Sequence, residues 1–349
     1  MTILFTLGLY QDVRPERWAS KHSVFYGLAT SLSKLGYESV FLCNQKSVKS
    51  KYVSKKFRYY FEGDTAVLDV FEKEDISHVV IWGGRTVGDD RLRSECPGGT
   101  EFIYAEAGWF PQPGTCYFSQ FGTNANARFQ EEGLVEHSLN RRAFVLSRWK
   151  KLRSSLGLLE LIKAPSFFEM KRFDPRKPIF VPLQDEGDTN ILLSSPVKKM
   201  ADFIDKLADL YPSVIFVVRP HPRATYSSLP QRNNVKYQQT TLSPYANYSM
   251  YGGVIGINST MLLQFALLGL PVAGVGSGVA TGNGAYYDLN YDEFPSDLAE
   301  ITYDAVPTAK FFDYLIRKKQ LDVKKLKSSA YVKNSYVIDF WGERGLREI

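Results

Sequence analysis

Cysteine is scarce: only Cys43, Cys96 and Cys116 occur in 349 residues, far apart and without a CxxC pair. That rules out a disulfide framework and argues against a cysteine-built zinc site. Long apolar runs are missing too. The longest, Met261 to Val275, is interrupted by Gln264 and Pro271 and falls short of the ~20 residues a membrane-spanning helix needs. The opening MTILFTLGLYQD has no basic stretch before its apolar residues and no A-x-A-like cleavage site, so it reads as a strand entering a loop, not a secretion signal. Nor is there a large excess of one charge. Forty-three Lys and Arg against thirty-seven Asp and Glu leave +6. This is too little to mark a nucleic-acid binder, yet compatible with a small anionic substrate or an acidic membrane surface. No G-K-[ST] phosphate loop exists and no G-x-G-x-x-G follows the first strand, which sets aside the common nucleoside-triphosphate and dinucleotide fingerprints.

What is present is an ordinary globular composition. An apolar fraction of 44% and a charged fraction of 23% exclude wholesale disorder. The length corresponds to about two domains at roughly 100–200 residues each. The first apolar run, Ile3 to Leu7, predicts a strand, and Val24, Leu28, Leu32 and Leu35 predict a helix stopped by Gly36. Further strands are predicted at Ser39 to Cys43, His78 to Trp82 (ending at Gly83-Gly84) and Glu101 to Tyr104, with a helix over 137–156. In the second half, strands at Ile179 to Leu183, Val214 to Val218, Val235 to Tyr237, Gly253 to Ile257 and Pro271 to Val275 alternate with helices over 196–210, 243–249 and Ser259 to Leu268. Such alternation implies parallel sheets with helices on both faces. The expected class is α/β, as two Rossmann-like halves, residues 1–165 and 166–349, with a ligand cleft between them. In open parallel sheets ligands gather at the carboxyl ends of strands, so the residues following each strand are the candidates.

After the strand at 214–218 comes Arg219-Pro220-His221-Pro222. The prolines stiffen the backbone around His221, so Arg219 and His221 can clamp a phosphate or carboxylate; the plain alternative is a rigid turn with a surface histidine. After the strand at 253–257 comes Asn258-Ser259-Thr260, opening a helix. Hydroxyls and free amides at a helix start form an anion site, though Ser there is also an ordinary cap. Gly274 to Gly284 is Gly-rich, either a flexible loop or a cover for a ligand. After the strand at 179–183, Gln184 is followed by Asp185, Glu186 and Asp188. These acids can supply a nucleophile, a weakly matched metal site, or solvated loop charges. In the first half, Glu106 precedes Trp109, Phe110 and Pro111. Aromatic surroundings would raise its pKa, as a general acid requires; a loop carboxylate beside an apolar plug is the other reading. Glu106 with Asp188 makes the acid/base and nucleophile pair that retaining glycosyl transfer uses.

At these residues the chain resembles a known family. Glu106-Ala-Gly-Trp-Phe-Pro-Gln-Pro-Gly114, Gln184 to Asp188, Arg-Pro-His221-Pro and Asn-Ser259-Thr260 resemble the retaining β-Kdo glycosyltransferase modules of bacterial capsule-polysaccharide biosynthesis and related lipopolysaccharide O-antigen enzymes. The His-Pro pair and the hydroxyl pair also resemble the CMP-sugar phosphate site of several bacterial sialyltransferases. The resemblance implies a GT-B-like fold with CMP-β-Kdo as donor substrate, a saccharide or glycolipid acceptor, no cofactor and no metal. It implies that His221, Ser259 and Thr260 hold the CMP phosphate, with Gln184, Arg219 and Asn258 beside it. Asp188 would be the nucleophile, with Asp185 as fallback, and Glu106 the acid or base. A donor with another CMP-nonulosonate, or a non-catalytic assembly subunit of the same fold, stands as the alternative. The chain has room for one module.

Between 317 and 333 lie seven basic residues, Arg317, Lys318, Lys319, Lys324, Lys325, Lys327 and Lys333. They read either as a solvated helical face or as a dock for anionic lipids, which would suit a cytoplasmic protein held at the inner face of a membrane.

Overall fold

The computed structural model describes residues 1–10, 15–46, 48, 53–110, 112–129, 170–241, 243–245 and 247–342. The helix expected over 137–156 and the expected domain boundary at 165 lie outside the described residues. Along the chain the first elements are β1 (Thr2–Leu7), α1 (Pro15–Lys34), β2 (Glu38–Cys43), β3 (Arg58–Phe61), α2 (Val67–Lys73), β4 (Ile76–Trp82), α3 (Val87–Glu95), β5 (Glu101–Ala107) and β6 (Thr115–Ser119). After the undescribed stretch come β7 (Met170–Arg172), β8 (Ile179–Pro182), α4 (Thr189–Ser194), α5 (Met200–Leu210), β9 (Phe216–Arg219), β10 (Val235–Tyr237), β11 (Gly253–Ile257), α6 (Thr260–Leu267), β12 (Val272–Val275) and β13 (Tyr287–Leu289). The chain closes with β14 (Thr302–Asp304), α7 (Ala305–Tyr314), β15 (Leu321–Asp322) and α8 (Ser329–Lys333).

Two compact units result. The described residues of Met1–Gly108, Gln112–Thr123 and Arg317–Ile349 form one, and those of Trp109–Pro111 and Asn124–Ile316 the other. The first holds a seven-stranded sheet in the order β15-β6-β5-β4-β1-β2-β3. Its strands β1 to β5 are parallel, while β6 and β15 add antiparallel to one side. Alternation along β1 explains why both faces are covered. Ile3, Phe5 and Leu7 point to the face packed by Val24, Phe25, Leu28 and Leu32 of α1. Leu4 points to the opposite face, with Val67, Val70 and Leu92 from α2 and α3. Gly36, at φ +91°, ends the turn after α1 as its sequence position predicts.

The second unit holds six parallel strands in the order β10-β9-β8-β11-β12-β13. Renumbered from its own first strand this is 3-2-1-4-5-6, the doubly wound order. One face is packed by Met200, Phe203, Ile204 and Leu207 of α5. On the other face Phe180 lies 4.9 Å from the rings of both Phe265 and Tyr251. The strand order reverses between β8 and β11, the switch point at whose carboxyl edge ligands gather in open α/β sheets.

Residues 317–342, expected in the second half, pack with the first unit. β15 pairs antiparallel with β6. The Ser31 hydroxyl of α1 donates to the Leu326 carbonyl at 2.5 Å, and Leu326 is fully buried in the first unit's core. The Tyr336 hydroxyl accepts the Phe118 amide at 2.9 Å. The apolar residues interspersed among the lysines are what draw this segment back: they complete α1's buried face. Instead of one continuous helix, the segment comprises a wide turn at Leu315–Lys319, a two-residue strand, a 3-10 turn at Val323–Lys327 and α8.

Candidate functional site

The site residues of the second unit gather where β8, β9 and β11 end. The Gln184 side-chain amide, just past β8, donates to the Ile257 carbonyl and to Asn258 Oδ1, the latter at 2.7 Å. Asn258, just past β11, sits at φ +27°, a left-handed conformation that Asn tolerates better than most residues. Its amide nitrogen faces the carbonyls of Asn190 (3.1 Å), Ser194 (3.3 Å) and Ser277 (3.0 Å). One side chain thus ties together the loop after β8, the end of α4 and the Gly-rich loop. That loop is held close by Gly276, at φ +75°, where a Cβ would lie 2.8 Å from the Ser194 carbonyl. The Ser277 amide donates to the same carbonyl at 2.8 Å.

The sharp backbone turn at Asn258 leads straight into α6. Ser259 caps it, its hydroxyl oxygen accepting the Met261 amide at 3.2 Å. Its hydroxyl proton remains available, and among the described residues the Thr260 hydroxyl and the amides of Ser259 and Thr260 make no hydrogen bond. With the helix dipole behind them, these groups form an anion-receptive end.

His221 follows β9. Its ring Nδ1 accepts the Arg223 amide at 3.3 Å, so the neutral ring carries its proton on Nε2. Burial holds the imidazole below its ordinary value; Asp185 pulls upward, Arg223 downward, and Asp188 upward. His221 is therefore a neutral donor near pH 7, within electrostatic reach of both aspartates. Arg219 is placed differently from what the sequence suggests. It is 6% exposed, and its guanidinium donates to Gln238 Oε1, the Gln239 carbonyl and the Thr240 carbonyl at 2.8–3.2 Å. It braces the loop after β10.

The three acids after β8 separate by role. Glu186 accepts the Met200 amide at 2.8 Å and pairs with Lys199 at 3.0 Å, so it caps α5. Asp185 accepts the Gly187 amide at 3.0 Å. Asp188 is exposed and caps α4, one oxygen accepting the Asn190 amide at 2.8 Å; its second oxygen has no hydrogen bond among the described residues. A residue the sequence reading missed is Tyr226, whose hydroxyl accepts the His221 amide at 3.0 Å and donates to the Gln184 carbonyl at 2.9 Å. A single tyrosine in a polar loop carries no sequence signal for that position.

Glu106 belongs to the first unit, near the carboxyl end of β5, where it pairs across to Tyr117 of β6. It is half-buried, and its Oε1 accepts the Ala107 amide at 2.8 Å. Beside it, β4 ends in Gly83 and Gly84, both at positive φ. A Cβ on Gly83 would lie 4.0 Å from Glu106 Oε2, and one on Gly84 would strike the Tyr104 ring at 2.2 Å. The two glycines keep that strand end low beside the carboxylate. Trp109 and Phe110, expected to wall Glu106, lie in the second unit with rings edge-on to Phe129 and Phe312.

No family model matches the chain, and no curated protein matches it in sequence. Solved structures do match. The β-Kdo 2,7-transferase of KpsC from Thermosulfurimonas dismutans is similar with a TM-score of 0.53 and 17% identity over 88% of each chain. The β-Kdo 2,4-transferase of the same organism's KpsC is similar with a TM-score of 0.50 and 14% identity, covering 73% of this chain and 82% of that one. At such identities the likeness establishes architecture: two Rossmann-like α/β units of the GT-B class, the architecture of those β-Kdo transferase modules.

Proposed function

We propose that this chain is a glycosyltransferase that moves Kdo from CMP-β-Kdo to a saccharide or glycolipid acceptor with retention of configuration, in capsule or lipopolysaccharide assembly. The observation that carries the reading is the cluster of polar groups at the carboxyl ends of β8, β9 and β11. There the unengaged donors of Ser259 and Thr260 at the start of α6 lie next to Asn258, which is bonded to Gln184. Gln184 is in turn linked through Tyr226 to the loop of His221. This is the chemistry a departing CMP phosphate needs: fixed neutral donors and a helix dipole, with no reorganisation as charge develops. Gln184, Asn258 and Arg219 hold the loops, and His221, Ser259 and Thr260 meet the phosphate.

In the proposed reaction, the unbonded oxygen of Asp188 attacks the anomeric carbon and the bond to the CMP phosphate oxygen breaks, its electron pair leaving with CMP. The acceptor hydroxyl then attacks the same carbon, its proton passing to a general base, the role that the resemblance implies for Glu106, and the bond to Asp188 breaks. Two inversions give retention. The similarity to two solved β-Kdo transferase modules supports this choice of sugar.

Asp188→Asn is the sharpest test, because Asn caps a helix as well as Asp but is no nucleophile. Transfer from CMP-Kdo should fall on the order of 10³-fold or more with an unchanged melting temperature. Full activity in that variant removes Asp188 from the mechanism. Calorimetry provides the second check: CMP should bind the wild type and bind His221→Ala at least about tenfold more weakly, the cost of a hydrogen bond to a charged group. Transfer from another CMP-nonulosonate in place of CMP-Kdo would reassign the sugar, and absence of any nucleotide binding would point to an assembly subunit. NMR of the product's anomeric centre decides retention.

A further inference from the structure

We propose that Tyr226 is a positioning residue for His221, setting the direction in which the imidazole presents its Nε2 proton to the donor phosphate. The inference rests on the function proposed above. His221 lies between Pro220 and Pro222, neither of which has an amide proton. The His221 amide is therefore the one backbone donor of that tripeptide, and it goes to the Tyr226 hydroxyl at 3.0 Å. The single hydroxyl proton then goes to the Gln184 carbonyl at 2.9 Å. One phenol oxygen thus spans the loop after β9 and the loop after β8. The Gln184 side chain continues the chain of bonds to Asn258, which opens α6.

On its other side, His221 is closed by its own turn. The Ala224 amide reaches the His221 carbonyl at 3.2 Å, and the Arg223 amide reaches Nδ1 at 3.3 Å. With Nδ1 occupied as an acceptor and the backbone fixed by the phenol, Nε2–H is the ring's one remaining polar group, and it has no partner among the described residues. Burial pushes the Tyr226 phenol up to about 12, so the hydroxyl keeps its proton throughout the neutral range. The ring packs against the second unit's core, so phenylalanine retains the packing and removes the hydroxyl alone.

The charged groups facing His221 are Asp185, Asp188 and Arg223, and Tyr226→Phe leaves all three in place. In that variant, the His221 titration followed by NMR should move up toward 6.5, because a freed loop hydrates the ring. CMP affinity should fall about five- to thirty-fold, the factor of one lost hydrogen bond with an orphaned amide. In a His221→Ala background the same change should cost less than about twofold, since the ring it orients is gone. Equal losses in both backgrounds, or an unmoved His221 titration in a folded Tyr226→Phe protein, would overturn the proposal and leave Tyr226 as a loop strut. The titration needs no nucleotide. If the wild type binds no CMP, the donor reading falls while the titration still decides the role of Tyr226.

Discussion

Three histidines, His22, His78 and His221, are each held below the ordinary imidazole value, with burial as the leading cause. His22 bonds the Tyr59 hydroxyl at 2.9 Å inside an aromatic cluster, and His78 bonds Ser77 at 2.8 Å and packs edge-on to Trp341. The native state therefore binds fewer protons than the unfolded chain just below pH 6.5. Stability is full above that value and is lost as pH falls through 6.5 toward the lower native values. Urea midpoints measured from pH 7.5 to 5 should decline over that window, and a flat profile would contradict the neutral assignment. The same scale shows where sequence reading stopped. That His221, Ser259 and Thr260 follow strands was legible in the sequence. The loop-bracing bonds of Gln184, Arg219 and Asn258 were not legible, since a polar side chain that braces a loop and one that meets a ligand are the same letters. Only the hydrogen bonds of Arg219 to the carbonyls of residues 239 and 240 tell them apart.

At the level of elements, the parallel strands were readable because both sheet faces are covered and the runs are continuously apolar, as in Val40 to Cys43 and Gly253 to Ile257. The short antiparallel additions were not. β6, β15 and the β7/β14 pair are between two and five residues long, and their registers come from tertiary contact, not from pattern. The most consequential of these is the closing segment. Leu326 is fully buried, and its β-carbon would sit 3.2 Å from a Cβ at Gly27 of α1. Leu326→Ala should destabilise the first unit by about 2–5 kcal/mol, read by urea unfolding, while the CMP titration at the second unit stays unchanged. Loss of less than about 1 kcal/mol would mean the segment is dispensable to that core.

For the whole molecule, no helix among the described residues is long and apolar enough to cross a membrane. The basic closing segment offers attachment of another kind, through charge. Arg317, Lys318, Lys324, Lys325, Lys327 and Lys333 are exposed, while Lys319 is buried with its ammonium 4.4 Å from the centre of the Tyr336 ring. Six exposed charges at about 1 kcal/mol each near an anionic bilayer are ample for reversible binding. Vesicles containing phosphatidylserine should sediment the protein, and 0.5 M salt should release it. Equal sedimentation with neutral vesicles would remove the electrostatic dock.

The return of residues 317–342 to the first sheet also has a consequence for biosynthesis. As the ribosome delivers the chain from its amino end, β1 to β6 emerge early but wait for β15 and for Leu326 to cover α1. Every strand and helix of the second unit is exported during that wait. The inserted unit is free to finish first, and the apolar face of α1 is covered only once Leu326 follows. Until residues 317–342 follow, that uncovered face is apolar surface of the kind chaperones hold on nascent chains.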